Sequence, residues 1–174
     1  MRKEGFTLVE MLGVVAIMGI LAGIGVASLR GAIANSRIKD AGINVTAFME
    51  RAANEAVRLN QKLCLEADDQ SMKLYKNECA ETKGALIDEM KLESLNQFVT
   101  TGKNCPDVGV AGETNTPAST MTLTPKIGVS AIPAGCFMVR YGSSDRYAAS
   151  IKISTKFGAY YKLSYDSGTS WSEM

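Results

Sequence analysis

The stretch that decides the fold is Arg2-Lys3-Glu4-Gly5-Phe6-Thr7-Leu8-Val9-Glu10, which runs directly into MLGVVAIMGILAGIGVASL, residues 11–29. The second part holds 19 consecutive residues without a charge. As a helix rising about 1.5 Å per residue it spans roughly 28 Å, close to the hydrocarbon thickness of a bilayer. Cations flank it, with Arg2 and Lys3 before and Arg30, Arg37 and Lys39 after. A cleaved secretory signal has an apolar stretch of about 7–15 residues and a small-residue cut site behind it. This run is longer, and the pattern beyond it continues as helix. Length alone leaves a plain membrane-anchored exported domain open. Glu10 points to more than an anchor, because an acid at the edge of an apolar helix is costly and marks a functional site by default. The bland alternative puts Glu10 in the headgroup layer, favoured by the helix dipole.

This N-terminus resembles the prepilin signature of type IV pilins and type II secretion pseudopilins: a short basic leader ending in Gly, then Phe, then Thr-Leu-Val-Glu opening a long apolar helix. The resemblance implies cleavage between Gly5 and Phe6 by a prepilin peptidase on the cytoplasmic side, followed by N-methylation of Phe6. It implies an assembly role for Thr7 and Glu10, the Glu10 carboxylate pairing with the Phe6 α-ammonium of a neighbouring subunit. It also implies a pilin fold, α+β, with a long N-terminal helix and an antiparallel sheet packed on its second half. The divisions are a leader over 1–5, a transmembrane and assembly half over 6–30, a head-packing half over 31–61, and an extracytoplasmic β-rich head over 62–174. The implied partners are other pilin subunits, the peptidase and an ATP-driven assembly platform in the bacterial inner membrane. The implied function is a structural subunit of a type IV pilus or a secretion pseudopilus.

One departure concerns the helix interior. Many pilins carry a Pro about twenty residues after the cut, whereas here the stretch reads Gly23-Ile24-Gly25-Val26-Ala27-Ser28. Gly19, Gly23 and Gly25 supply local helix weakness in its place, at about 1 kcal/mol each relative to Ala. Gly19-x-x-x-Gly23 is also a small-xxx-small pattern that lets helices approach closely.

Beyond the apolar run, Ile38, Ala41, Val45, Phe48, Ala52, Ala56 and Leu59 recur at spacings of three or four, which predicts continued helix to about residue 60 with one stripe to bury. The remainder reads as β-rich. Residues 62–66 and 72–76 flank Ala67-Asp68-Asp69-Gln70 as a hairpin. Residues 84–98 read as a short helix and 102–120 as a loop rich in Gly, Pro, Thr, Asn and Ser. Strands are expected over 136–141, 147–154 and 159–165, with a short one near 121–124. The segment Arg51–Asn60 running into Lys62–Leu65 is similar to the helix end and first strand of minor pseudopilins of the GspH/FimT group.

An exported domain makes the four cysteines read as disulfides. Nearest neighbours close the smallest loops, which favours Cys64 with Cys79 and Cys105 with Cys136 among the three connectivities. The chain has no His, no Gly-x-Ser-x-Gly and no P-loop, so neither an enzyme, a metal site nor a cofactor is expected. Asp68-Asp69 and Asp88-Glu89 are explained by a solvated turn and a helix start.

Net charge is +1, from 19 basic and 18 acidic residues, but the head is lopsided. Residues 61–100 carry five lysines against eight acids. Residues 120–165 carry Lys126, Arg140, Arg146, Lys152, Lys156 and Lys162 against Asp145 alone, interleaved with Tyr141, Tyr147, Tyr160, Tyr161 and Tyr165. A solvated sheet face with tyrosines packed on the helix explains this pattern. So does docking on the acidic half of a neighbouring subunit. DNA or surface binding through phosphates and stacking is the third reading, and salt-dependent DNA binding discriminates it.

Overall fold

The computed structural model describes residues 7–80, 82–93, 95–107, 116–125, 135–151 and 160–173. The chain divides into two compact units, Met1–Ala34 and Asn35–Met174. A single helix, α1, runs Leu8–Leu59 for 52 residues and passes from one unit into the other.

The helix stops where a left-handed residue breaks it. Asn60 has φ 49°; its N–H bonds Val57 O at 3.1 Å, and the Gln61 N–H bonds Ala56 O at 3.2 Å. These two bonds satisfy carbonyls that the helix end would otherwise orphan, and Asn tolerates the conformation nearly as well as Gly. In the first unit the described side chains from 7 to 30 are all exposed. In the second unit the stripe is buried: Ile38, Ala41, Val45, Phe48, Ala52 and Ala56 join one core, with Leu59 packed at its margin.

That core is closed by two antiparallel sheets. The strands are β1 Leu63–Ala67, β2 Ser71–Lys76, β3 Leu86–Lys91, β4 Asn96–Val99, β5 Thr120–Leu123, β6 Cys136–Tyr141, β7 Tyr147–Ile151, β8 Tyr160–Ser164 and β9 Ser172–Glu173. The first sheet has the order β3-β2-β1-β5 and the second β4-β6-β7-β8-β9. Leu63, Leu65, Met72, Leu74 and Leu123 face the core from the first sheet; Phe98, Phe137, Val139, Ala148 and Leu163 do so from the second. The opposite face of the second sheet is also covered. Cys136, Met138, Tyr147, Ala149 and Ile151 form a smaller cluster with Cys105, flanked by Val99 and Trp171. Strand β7 is therefore buried at all five positions, which is why Tyr-Ala-Ala-Ser-Ile lacks polar alternation.

The second sheet lies close against the helix at Gly42. A Cβ there would stand 3.1 Å from both Ala148 Cβ and Tyr161 Cδ2. The polar groups at this contact satisfy one another: Thr46 Oγ1 donates to Ser150 Oγ at 3.0 Å, and Ser150 Oγ donates to Gly42 O at 3.3 Å.

Three sequence expectations change. The head has two sheets rather than one. Residues 84–98 are not a helix but strands β3 and β4. Glu, Met, Lys and Leu favour helix there only weakly; the edge of β2 captures the first part through pairs such as Tyr75 with Leu86 and Leu74 with Asp88, and β6 takes the second through pairs such as Phe98 with Val139. Asp88-Glu89 accordingly sits within a strand, where Asp88 pairs with Arg51 at 2.9 Å, not at a helix start. Strand β9 has no counterpart among the expected strands. Residues 152–154 and 159, expected at strand ends, lie outside the described residues, as does much of the 102–120 loop.

Candidate functional site

Gly5 and Phe6 lie outside the described residues. Immediately after them, Thr7 and Glu10 form a reciprocal cap on α1. Thr7 Oγ1 accepts from the Glu10 N–H at 3.3 Å. Glu10 Oε2 accepts from the Thr7 N–H at 2.9 Å and from the Thr7 hydroxyl at 2.8 Å. The Thr-x-x-Glu spacing is the sequence signal for this capping box, and it gives Thr7 a capping role beside the assembly role that the resemblance implies. The cap also fixes the carboxylate at the very start of the apolar helix, with both Thr7 bonds on one oxygen.

Past this cap the helix is apolar on all sides, and α1 is long and apolar enough to cross a membrane. A Cβ added at Gly19, Gly23 or Gly25 would meet nothing within 4 Å among the described residues. The three glycines lie along this exposed stretch of helix, free of any packing that would require them.

The four cysteines form two disulfides in the nearest-neighbour pairing, Cys64–Cys79 and Cys105–Cys136. The first ties the end of β2 back to β1, where the Cys79 N–H also bonds Thr122 Oγ1 of β5 at 3.2 Å. The second fastens the strand-free segment after β4 over the outer face of the second sheet.

The charge asymmetry follows the two sheets. Acid-rich residues 61–91 build β1, β2 and β3, while Arg140 and Lys162 belong to β6 and β8 of the second sheet. By strand alternation both project from the face opposite the helix, beside Tyr147, which is 4% exposed. Lys103 Nζ stands 5.5 Å from the centre of that ring. Arg146 does not join them; its Nε donates to Asn35 Oδ1 at the start of the second unit. Tyr141 and Tyr161 pack on the main core, and Tyr165 presents an exposed ring. Lys126, Lys152 and Lys156 lie outside the described residues. The β8–β9 turn adds an acid beyond the basic set: the hydroxyl and N–H of Ser170, together with the Ser164 hydroxyl, hold the Asp166 carboxyl well below the usual carboxylate range.

Residues 1–26 match the family described as the prokaryotic N-terminal methylation motif. This is the class III prepilin signal, typical of type IV pilins and pseudopilins, and it marks an exported, pilin-like protein. The match ends within α1. No curated protein and no solved structure is similar enough to the chain to count as a match.

Proposed function

We propose that the chain is a structural subunit of a type IV pilus or a type II secretion-type pseudopilus. Residues 1–5 are removed by a prepilin peptidase, and Phe6 becomes the methylated N-terminus. Residues 6–30 hold the subunit in the inner membrane and later pack in the filament. Residues 31–61 carry the head, and 62–174 complete it on the extracytoplasmic side. The observation that carries this reading is the methylation motif at 1–26 joined to a helix whose described side chains from Leu8 to Leu29 are apolar or small and exposed, apart from Glu10. A helix apolar all round needs apolar surroundings from elsewhere, first lipid and then other subunits. Assembly needs no catalytic group: Glu10 neutralises the ammonium of the next Phe6 and sets the stagger, and the burial of neighbouring stalks supplies the driving force.

Mass measurement of the mature N-terminus tests the reading. The expected chain begins at Phe6 with one added methyl group. A chain beginning at Met1 would indicate a plain anchor, and one beginning within 27–34 a secretory signal. Either result removes the prepilin reading.

A further inference from the structure

Leu95, in the connection between β3 and β4, has φ 80° and is 58% exposed. A single exposed leucine needs no explanation. A bulky residue at positive φ does, because the backbone is strained there and Gly or Asn would sit more easily. The next residue, Asn96, is 2% exposed, and its Oδ1 has no hydrogen-bond partner among the described residues. Unpaired buried polar atoms are rare. Two adjacent departures from low energy mark this corner as serving something other than the stability of the head.

Its fastenings place the corner. Leu95 O accepts the Gly142 N–H at 2.5 Å. The turn that begins at Gly142 ends in Arg146, which bonds Asn35, and Glu93 pairs with Arg37. The corner is thus tied to the first turn of helix in the second unit. Asn35 follows Leu29, the last residue of the apolar run, by six positions. Six residues span about 9 Å as helix and no more than about 20 Å in any conformation, whatever the angle between the units. The headgroup layer on each side of a bilayer is itself about 5–8 Å thick. Leu86, also exposed, is the contrast. It lies near Asp88, which pairs with Arg51, fourteen positions further along the helix than Arg37.

We infer that the Leu95 corner rests on the bilayer surface before assembly, with the leucine seated among the lipid headgroups and Arg37 and Arg146 beside their phosphates. The inference rests on the membrane-anchored reading of residues 6–30. An apolar side chain held out by a strained backbone is unfavourable in water and favourable at a lipid interface, and guanidinium groups suit the phosphates next to it.

Tryptophan quenching in vesicles tests it. The full chain carrying Trp171→Phe is reconstituted in phosphatidylethanolamine–phosphatidylglycerol vesicles containing lipid brominated near the headgroup end of its chains. The indole of Leu95→Trp should lose emission, and that of Leu86→Trp should not. In the unaltered chain, a headgroup spin label should broaden the Leu95 methyl resonances and spare those of Leu86. If the chain resists carbonate extraction but the Leu95 position is neither quenched nor broadened, the inference fails and the anchor stands. Release by carbonate overturns both. Shielding of Leu95 only in assembled filaments would assign the corner to a neighbouring subunit and overturn the lipid contact.

Discussion

The two halves of α1 share a backbone geometry and little else. From Leu8 to Leu29 apolar residues point in every direction and the described side chains are exposed. From Ile38 to Leu59 the apolar residues keep mostly to one stripe, Ile43 and Val57 standing outside it, and the chain's own strands bury that stripe. Both halves depend on apolar contact, but the source differs. The second half carries its complement in the same chain, so its errors register as instability of the head. On the proposed reading the first half borrows its complement from lipid or other subunits, so its errors should register as failures of insertion or assembly.

Replacing Glu10 with Val should separate these two kinds of failure most widely. The change eases insertion, since a charge leaves the apolar edge. If Glu10 pairs with the next subunit's Phe6 as proposed, the change also strands that ammonium among packed stalks, and breaking one side of a buried ion pair costs about 3–5 kcal/mol at each interface. Processed Glu10→Val protein should accumulate in the membrane with an unaltered head, while its ratio in sheared filaments to membrane collapses at equal expression. An unchanged ratio would remove the pairing role and leave the leader intact.

Next comes a matched pair of isoleucines. Ile38 is 0% exposed and Ile17 is 60% exposed. Ile38→Ala should lower head stability by about 2–5 kcal/mol, read as a shifted denaturant midpoint. Ile17→Ala should leave that midpoint where it was. A comparable shift from both would mean that the first half also folds against its own head.

The smallest contrast lies in the glycines. Gly42→Ala pushes a methyl group to 3.1 Å from Ala148 and Tyr161, and should cost about 1–3 kcal/mol of head stability. Gly23→Ala meets open space and should instead strengthen its own stretch of helix by about 1 kcal/mol, read as slower amide exchange in micelles. Equal signs for the two would erase the distinction between the halves.

The helix and its stripe were legible in the sequence because their signals are local: an uncharged run and a period of three or four. The hairpin around Asp68 and strands β6 to β8 were legible for the same reason, since turn residues and short apolar runs alternate there. What escaped depends on distant partners. Residues 84–98 resemble a helix until β2 offers an unpaired edge, and β9 is too short to announce itself without β8 beside it. At the candidate site, Glu10 was visible as an acid at the edge of an apolar run and Thr7 through the resemblance of the leader, but the cap that joins them was not read. The corner at Leu95 was not, because a backbone angle and a buried unpaired oxygen leave no mark on composition.

The bond between Thr46 and Ser150 joins residues 104 positions apart. A ribosome adding 5–20 residues per second delivers the second partner roughly 5–20 s after the first. The strand that closes over the helix is therefore among the last parts of the chain to be made, and contacts of such high sequence separation form slowly even then. Throughout that interval Ile38, Val45 and Phe48 lack the second sheet's share of their core, on a helix that the proposed reading already places in the bilayer. If the helix is anchored as proposed, export of this chain includes a window of seconds in which it carries two sticky segments instead of one, and only synthesis through β7 and β8 completes the cover of the second.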